Sequence, residues 1–508
     1  MAIVTLTQIA PCLVIVLFSV LQPATVGYDF LGYVIVFVVP VPVPTIVSPS
    51  EIRSTAASLP NHKAPGQDKI TNFILKQFSQ KGRAALSTLY NSMISLNYFP
   101  TAWKFAILLP FHKPDKPLHN PSSYRPISLL SVFGKLFERL LLKRLLLDCP
   151  QIALPSHQFG FRKGHSSVDQ IHRVVDYITR SLEDGKYCGA IFLDVQSAFD
   201  KVYHPGLLYK IKKLVPQYYL LLKSYLADRS FAVSIENALS DAKEISAGVP
   251  QGSILGPFLY LLFTYDLPTS PTVFTGTFAD DTAYLSSHNS PVTVSDELQN
   301  ILFELEIWST IWRISFNATK SSMLNFTLRK LPLPPVFLHG DQIPFKDSAR
   351  YLGVHLDSKL TWKSHIIAKR KQLDALFHKY SWLLRSPLPL SSKLLLYKTV
   401  IRPCWSYGSQ IWCTTAPSNL KPLQTAQNKF LRTITSCHKY QMVDIIHRDA
   451  RIPLVKDYVK ELTLRHIRRL EGHRSHLALS LLDNSETQRR LKRRHILDIF
   501  FTADTGDP

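Results

Sequence analysis

The hydrophobic pattern divides the chain into a short apolar leader and a long stretch of ordinary globular character. Two apolar runs, residues 9–21 and 30–39, are interrupted by Pro11, Pro23 and a Val-Pro repeat that ends at Pro44. Each run is shorter than the roughly 20 residues that a membrane-spanning helix needs, and Arg53 is the first basic residue, so a basic signal-peptide start is missing. We therefore expect residues 1–47 to be a non-globular leader, with a membrane anchor or signal peptide as the weaker interpretation.

Residues 103–147 predict a strand, a loop and a helix in succession. A short apolar strand leads into a proline-rich loop, and Ser131 stands where it would cap the following helix. Leu136, Leu140 and Leu141 recur at helical spacing, so this helix should bury one face. The loop contains three basic residues: Lys113, Lys116 and Arg125. Its prolines stiffen it, which favours a phosphate clamp, although a solvated surface explains each cation taken alone.

Three aspartates lie at predicted strand ends. In residues 189–202, GAIFLDVQSAFDKV, an apolar run predicts a buried strand, and Asp194 stands where that strand ends. Residues 272–285 have a hairpin pattern with Asp280 and Asp281 at the tip. A buried carboxylate is costly unless it is paired, but Asp is also a common turn residue. Each aspartate therefore has a structural as well as a chemical interpretation.

Two further loops combine glycines with aromatic or basic residues. In QFGFRKGH, residues 158–165, Arg162 and Lys163 are interleaved with aromatics and glycines, which suits nucleic-acid backbone contact and base stacking. Three glycines at every fourth position precede an apolar helix: Gly248, Gly252 and Gly256. This stripe without side chains permits close approach of another backbone or a ligand, or close helix packing.

Composition limits the classes of protein that these elements can build. With 508 residues, 46% of them hydrophobic, the chain can bury a sizeable core, and we expect about two to four domains rather than a disordered chain. The six cysteines form no CxxC pair and no Cys/His cluster at zinc spacing, which indicates a reducing compartment. The formal net charge of +22 favours a polyanionic partner, either nucleic acid or an anionic membrane.

Divalent metal chemistry gives a reason to gather the three aspartates. Mg²⁺ prefers oxygen ligands, is commonly held by one or two carboxylates, and completes its shell with water and substrate phosphate. Two such ions about 4 Å apart would stabilise both oxygens of an in-line phosphoryl displacement. This is the chemistry of a polymerase or of a nuclease, and the spacing of the aspartates does not choose between them.

Several sequence blocks recur in the order and spacing of one family: YRPISLL (124–130), QFGFR (158–162), FLDVQSAFDKV (192–202), GVPQGSILGP (248–257) and FADD (278–281). Together they strongly resemble the reverse transcriptases of non-LTR retrotransposons, of the jockey-type LINE class. The resemblance begins at KAPGQDKI (63–70) and continues through FNATK, YLGVHLD and YGSQIW to LQTAQNKFLR (423–432), so it covers most of the chain.

The resemblance implies an RNA-directed DNA polymerase that extends a primer 3′-hydroxyl with deoxynucleoside triphosphates. Asp194, Asp280 and Asp281 match the aspartates that hold two Mg²⁺ ions, with Mn²⁺ as the alternative metal. Asp194 and Asp280 should bridge the ions, with Asp281 secondary, and the Val195 carbonyl would complete one coordination shell. The implied reaction copies RNA into DNA and releases pyrophosphate.

Other matched positions would contact the substrates. Phe199 resembles the steric gate under the incoming sugar, with an ordinary core Phe as the alternative. Gln251 resembles the residue that touches the nascent pair and template, and Gly252 would let the backbone come close. Lys320 matches a candidate proton donor to pyrophosphate, with a solvated lysine as the alternative. Two cations would grip the incoming triphosphate: Lys113 and Arg125.

The implied fold is α+β, the right hand of polymerases. We expect fingers at 48–188, a palm with an antiparallel catalytic sheet at 189–330, the end of the palm and a helical thumb at 331–450, and a basic helical extension at 451–508. The arginines of this extension indicate template or primer contact, or a solvated basic helix.

The two ends of the chain depart from the family pattern. Too few residues precede the first block for the usual upstream endonuclease, and too few follow the last block for an RNase H domain, so we expect a truncated element. The expected partners are an RNA template, a DNA primer, dNTPs and an endonuclease acting in trans, without a stable membrane partner. The expected location is the nucleus and cytoplasm.

Two competing hypotheses remain at this point. One is a catalytically inactive truncated remnant that binds nucleic acid. The other, within the enzyme class, is an organellar intron maturase or a telomerase-like polymerase.

Overall fold

The computed structural model describes residues 46–113, 116–149, 154–236, 238–438, 440–483 and 495–499, together with the backbone of two short strands before them. The predicted leader therefore lies largely outside the described residues, as do four arginines of the predicted extension: Arg489, Arg490, Arg493 and Arg494. Within the described ranges, no helix is both long enough and apolar enough to cross a membrane.

The described chain combines helices and strands in a mixed α and β architecture, and only helices follow the last strand. The strands are β1 (Gly27–Tyr28), β2 (Val34–Ile35), β3 (Phe105–His112), β4 (Tyr124–Leu129), β5 (Tyr187–Leu193), β6 (Arg229–Ile235), β7 (Ala238–Leu239), β8 (Lys243–Ile245), β9 (Phe274–Phe278), β10 (Asp281–His288), β11 (Ser322–Phe326), β12 (Phe337–Leu338), β13 (Asp341–Gln342), β14 (Ser348–Tyr351) and β15 (Val354–Asp357).

The helices are α1 (Pro49–Ala57), α2 (Asn72–Lys76), α3 (Gln80–Ser95), α4 (Val132–Asp148), α5 (Ser167–Glu183), α6 (His204–Leu214), α7 (Tyr219–Leu226), α8 (Leu255–Phe263), α9 (Pro291–Trp312), α10 (Lys363–Arg385), α11 (Leu390–Leu396), α12 (Arg402–Ser406), α13 (Ser409–Trp412), α14 (Pro417–Thr435), α15 (Val443–Ala450), α16 (Val455–Glu471) and α17 (His476–Leu479).

A four-stranded antiparallel sheet in the order β11-β5-β10-β9 lies at the centre of the described structure. Every residue of β5 is buried, because its alternate side chains pack against two different helices. Cys188, Ala190 and Phe192 share a core cluster with α5, while Ile191 and Leu193 share another with α9. A strand covered on both faces needs a continuous apolar run, which is the pattern of its sequence.

A second sheet has the order β4-β3-β6-β7, with β8 also paired to β6. It adjoins a hydrophobic cluster built mainly from α1, α3, α4, α6, α7 and α8, whose buried members lie between Val47 and Phe263. Leu136, Leu140 and Leu141, the stripe predicted for α4, are buried in this cluster.

The helices that follow β15 extend the core on the α5 side of the central sheet. α10, α14 and α16 pack around a set of large buried aromatic side chains, which includes Trp405, Trp412 and Phe430. Between α11 and α12 the chain forms a π-helical turn at Tyr397–Ile401. One continuous cluster thus joins the sheet to the later helices through α5.

The structure corrects two local predictions around α4. Ser131 stands at the N-cap position, but its hydroxyl donates to Asp68 Oδ2 at 2.7 Å instead of capping the helix. The predicted proline-rich loop includes strand β4, so Arg125 lies on a strand. Pro110 and Pro126 face each other in this ladder as a pair that is not hydrogen-bonded. Backbone nitrogens at these two positions point away from the partner strand, so proline costs the ladder no hydrogen bond.

Candidate active site

Three aspartates meet at one end of the central sheet. β5 ends at Leu193, so Asp194 follows it directly, and Asp281 is the first residue of β10. Because Leu193 pairs with Thr282, one further step along each strand places Asp194 beside Asp281. Asp280 lies in the turn that joins β9 to β10. The structure therefore brings together the three aspartates that the sequence predicts as catalytic.

A buried amide holds the turn that presents Asp280. Ala279 has a φ of 60°, in the left-handed region. The side-chain oxygen of Gln158 accepts hydrogen bonds from the Ala279 N–H at 3.0 Å and the Gly160 N–H at 2.7 Å. The sequence analysis quoted the QFGFR motif but missed this role of Gln158, because no local pattern shows that its side chain faces the hairpin.

The three carboxylates share an unfavourable electrostatic environment. Burial, together with the neighbouring charges of Asp280 and Asp194, raises the pKa of Asp281 to about 6, although part of the side chain is exposed. Burial also raises the pKa of Asp280, with Asp194 adding to the effect. Since like charges at close range repel, a cation placed among these carboxylates would be stabilised.

The donor set fits a hard divalent cation. In the described part of the chain, no group of three or more His, Cys, Asp or Glu side chains is placed so that it could hold a metal ion by itself. The three aspartates nevertheless offer oxygen ligands only, and Mg²⁺ commonly takes one or two carboxylates and fills its shell with water and phosphate. The chemistry of the residues thus fits Mg²⁺ or Mn²⁺, bound together with a phosphate-bearing substrate.

The Val195 carbonyl faces the same side as the hairpin. The Asn317 N–H donates to the Asp194 carbonyl at 2.9 Å, and the Gln196 N–H donates to the Ser315 carbonyl at 2.9 Å. Successive carbonyls of an extended strand point to opposite sides. The Val195 carbonyl therefore points away from this neighbouring segment and toward the β10 side, where a metal ligand would be needed.

Lys320 lies in a turn that supports the backbone of Asp194. The Asp194 N–H donates to the Ser321 hydroxyl at 3.1 Å, and that hydroxyl donates to the Asn317 carbonyl at 2.7 Å. The Asn317 side chain accepts from the Lys320 N–H at 2.9 Å, so it orders the turn. Lys320 itself is exposed. Its position is one residue from the serine that contacts Asp194.

Phe199 packs beside the aspartates without being fully buried. Its ring stacks on Tyr260 of α8 with the ring centroids 4.7 Å apart, and it meets Phe161 edge-on at 5.8 Å. Burial raises the pKa of the Tyr260 hydroxyl, and the negative charges of Asp280 and Asp281 contribute to this shift, so Tyr260 is close to both carboxylates. Phe199 thus packs on Tyr260 and Phe161 and lies at the edge of the site.

The loop that contains Gln251 is anchored on β4. The Ser128 N–H donates to the Gln251 carbonyl at 2.8 Å, and the Gln251 side chain donates to Asp200 Oδ1 at 3.0 Å. Gly252 has a φ of 115°, and a Cβ there would lie 2.7 Å from the Ser128 carbonyl oxygen. A Cβ at Gly248 would likewise lie 2.7 Å from the Asp200 carbonyl oxygen. These glycines permit close approach of the protein's own backbone.

The two cations predicted to grip triphosphate lie on one hairpin. Arg125 is exposed on β4, opposite Phe111 of β3. The Lys113 ammonium donates to the Ser122 carbonyl at 2.8 Å, and its charge opposes the increase in the pKa of Asp200 that burial causes. Lys113 is therefore near the Gln251 loop.

The QFGFR motif differs from its predicted use at Arg162. The guanidinium donates to the main-chain carbonyls of Pro155 and Gln158, at 2.9 and 3.1 Å. Phe161, by contrast, is 53% exposed and lies next to Phe199. The structure thus places the aromatic residue of this motif, rather than its arginine, toward the site.

An open cleft of about 650 Å³ lies in front of the aspartates. Asp280 and Asp281 line it on one side, and Arg350, Lys369 and Tyr407 line it elsewhere. The neighbouring YLGVHLD and YGSQIW blocks carry the family resemblance, but their local pattern does not predict a role for these side chains. A cleft that combines carboxylates with cations suits a polyanion whose reacting end lies near a metal.

Comparison with known proteins gives a family for the part of the chain that contains the aspartates. Residues 111–356 match the family described as "Reverse transcriptase (RNA-dependent DNA polymerase)". These residues form a reverse transcriptase domain. The reverse transcriptase domain contains every predicted site residue, from Lys113 to Lys320. Lys369 and Tyr407 follow its last matched residue, so later helices complete the cleft.

Curated relatives confirm the predicted resemblance to the RNA-directed DNA polymerases of jockey-type elements. The chain is 40% identical to "Probable RNA-directed DNA polymerase from transposon X-element" of Drosophila melanogaster, over 90% of this chain and 51% of that protein. It is 38% identical to "RNA-directed DNA polymerase from mobile element jockey" of the same organism, over 88% of this chain and 51% of that protein.

The chain spans about half the length of these relatives. Among solved structures, apo telomerase from Candida tropicalis truncated from its C-terminal domain has a TM-score of 0.34 and 11% identity, over 55% of this chain and 59% of that one.

Proposed function

We propose that the chain is an RNA-directed DNA polymerase that extends the 3′-hydroxyl of a DNA primer with dNTPs on an RNA template. The observation that supports this most strongly is the gathering of Asp194, Asp280 and Asp281 at one sheet end inside a reverse transcriptase domain. The names of the curated relatives agree with this activity.

The aspartates would hold two divalent ions, Mg²⁺ or Mn²⁺. Asp194 and Asp280 would bridge them, with Asp281 secondary and the Val195 carbonyl as a further ligand. The ions, when bound, would stabilise the attacking and leaving oxygens of an in-line displacement. The carboxylates of the site repel one another, so binding of a cation among them is favourable. The bound cation would in turn attract the phosphate of the substrate.

Side chains around the aspartates would orient the incoming nucleotide. Arg125 would bind the triphosphate through its planar guanidinium, with Lys113 as a second cation on the same hairpin. Phe199 would pack under the sugar and disfavour a 2′-hydroxyl. Gln251, held on β4 with Gly252, would contact the nascent base pair. The positions of these residues around the aspartates support the proposal.

The remaining groups would act on the leaving group and on the nucleic acid. Lys320, exposed beside Ser321, would give a proton to pyrophosphate. The open cleft would hold the primer and template, with Arg350 and Lys369 facing phosphates.

We assign the right-hand subdomains in the same way: fingers at 48–188, palm at 189–330, the end of the palm and thumb at 331–450. An endonuclease acting in trans and a location in the nucleus and cytoplasm are proposed on the family resemblance alone.

Primer extension on an RNA template with dNTPs and Mg²⁺ tests the proposal. The wild type should synthesise DNA, and the double variant Asp280→Asn, Asp281→Asn should lose about a thousandfold or more of this activity, because charge stabilisation by the metals is the main catalytic term. The matched control is Asp296→Asn, Asp341→Asn, which removes the same charge at two exposed positions.

Binding of the primer and template to all three proteins is measured in parallel. If the wild type binds but extends no primer, the polymerase proposal is wrong and the inactive nucleic-acid-binding remnant takes its place. If the control double variant loses as much activity as the aspartate pair in the hairpin, the metal assignment is wrong.

A further inference from the structure

Helix α16 and the residues after it pack against the start of α5. This segment, residues 455–482, lies outside the residues that match the reverse transcriptase family. The sequence analysis expected a basic extension that contacts nucleic acid or is solvated. In the structure, one arginine of α16 instead pairs with a buried carboxylate of α5, and its contacts lead to the catalytic hairpin.

Arg469, whose side chain is 42% exposed, forms an ion pair with a completely buried carboxylate. Arg469 donates to both oxygens of Asp169, one of them at 3.0 Å, across 300 residues of sequence. Asp169 also accepts from the Ser166 N–H and hydroxyl, both at 2.8 Å, and so completes the capping box of α5. Because a buried carboxylate is costly without its partner, this pair fixes α16 on the N-terminus of α5.

Two buried histidines extend the contact between the helices. An Arg469 N–H donates to His466 Nδ1 at 3.2 Å, so the hydrogen of the neutral His466 ring is on Nε2. That Nε2–H donates to His172 Nδ1 of α5 at 3.1 Å. Burial lowers the pKa of His466 to about 4 and of His172 to about 3, so both rings are neutral at pH 7.

The residues that follow α16 pack on the QFGFR segment. Phe159 is fully buried in a cluster with Leu470, Ala478 and Leu481, and Phe278 at the end of β9 packs against the same cluster. The chain is fixed here by a second polar contact, in which His473 donates to the Gly164 carbonyl at 2.9 Å.

The QFGFR segment in turn holds the catalytic hairpin. The Phe159 N–H donates to the Thr277 carbonyl at 2.9 Å, next to the amide clamp of Gln158 on Ala279. A Cβ added to Gly160 would lie only 2.2 Å from the Ala279 nitrogen, so the two backbones are in direct contact. A shift of Phe159 would therefore move the turn that presents Asp280.

We propose that residues 455–482 position the catalytic hairpin through Phe159, and that Arg469 is the positioning residue that latches this segment to α5. The inference rests on the proposed polymerase function, because it assigns these residues a role in that reaction. It places part of the catalytic framework outside the matched domain. Arg469 acts through Asp169 and Phe159 and does not touch the substrates.

The test compares two neighbouring arginines in the full chain. Arg469→Met breaks the latch, whereas Arg468→Met removes the same charge at an exposed position of the same helix. Amide hydrogen exchange is followed in peptides that cover residues 157–161 and 275–281, with the β3–β4 hairpin as an internal reference. Arg469→Lys, which keeps the charge but not the two-point contact, provides a milder variant if Arg469→Met does not fold.

We expect Arg469→Met to raise exchange about tenfold or more in both hairpin peptides and to leave the β3–β4 reference unchanged. It should also lower kcat at least about tenfold, because small misplacements of catalytic groups have large effects on rate. KM for dNTPs and the Kd for primer and template should change less than about twofold. Arg469→Lys should be intermediate, and Arg468→Met should resemble the wild type.

Equal exchange in the two methionine variants would overturn the proposal, and so would an increase spread evenly over the whole protein, which would indicate general loss of stability. The exchange measurement does not depend on activity. If the wild type fails to extend a primer but the exchange pattern is as expected, the polymerase function is wrong while the positional inference holds.

Discussion

Gly252→Ala should destabilise the protein far more than a glycine substitution elsewhere with similar backbone strain. Gly252 has a φ of 115°, and its Cβ would meet the Ser128 carbonyl oxygen at 2.7 Å. Gly340, in the turn between β12 and β13, has a φ of 81° with no atom within 4 Å of the added Cβ. The pair of variants therefore separates the steric contact from the backbone strain.

The magnitude follows from two contributions. Strain at a positive φ costs about 1–3 kcal/mol and applies to both variants. At Gly252 the loop must also move away from β4, which adds about 1–3 kcal/mol for overpacking. The movement breaks the hydrogen bond from Ser128 to the Gln251 carbonyl, 2.8 Å long, for about 1 kcal/mol more. Gly252→Ala should thus be worse than Gly340→Ala by roughly 2–4 kcal/mol.

Thermal unfolding followed by circular dichroism measures the difference. For a chain of this size it corresponds to a melting temperature lower by roughly 2–4 °C in Gly252→Ala than in Gly340→Ala. Primer extension should fall as well, because Gln251 moves with the loop. Equal melting temperatures would show that the loop can move away from β4 without loss of stability. The close approach of β4 would then not require a glycine at position 252.

Two other predictions concern nucleotide selection and pH. Phe199→Ala should raise the efficiency of ribonucleotide relative to deoxyribonucleotide incorporation by about tenfold or more, measured as the ratio of kcat/KM values. The control is Phe303→Ala at an exposed position. If both variants keep the wild-type ratio, Phe199 is a packing residue and not a steric gate. Lys210 is buried, paired with Asp266 and 3.7 Å from the Trp312 ring, and burial lowers its pKa to about 8. Between that value and the ordinary 10.5 the unfolded chain binds more protons than the folded one, so stability should rise with pH across this window. The melting temperature of Lys210→Met should lack this rise, and parallel pH profiles of variant and wild type would contradict the assignment.

The sequence predicts those parts of the site that depend on local pattern. A short apolar run followed by Asp194, and a hairpin with Asp280 and Asp281 at its tip, are visible within about ten residues each, and the structure places all three aspartates as expected. The glycine stripe is also visible, and close approach of another backbone is one of its predicted uses, but the sequence does not show which backbone approaches. Which backbone approaches Gly252 depends on strand β4, far away in sequence.

The remaining features depend on contacts between distant segments. Ser131 stands where a cap is expected, yet its hydroxyl donates a hydrogen bond to Asp68. A serine hydroxyl can bond either the helix N-terminus or another side chain, and only the tertiary structure decides between them. The sequence shows Gln158 only as the first residue of the QFGFR motif. Its hydrogen bond to Ala279 becomes apparent only when the β9–β10 turn is placed beside it. Arg469 resembles the other arginines of its helix, and only its ion pair with Asp169 of α5 distinguishes it from the equally exposed Arg468.

The central position of β5 has a consequence for the synthesis of this chain. β5 is buried on both faces and paired on both edges, but its partners β10 and β11 follow only after α6, α7 and α8. The hydrophobic cluster from Val47 to Phe263 is complete before either partner leaves the ribosome. Closing such long loops is entropically costly and slow. Until Phe326 has been made, β5 is an apolar strand with a free edge, so the nascent catalytic sheet is open to aggregation during this interval.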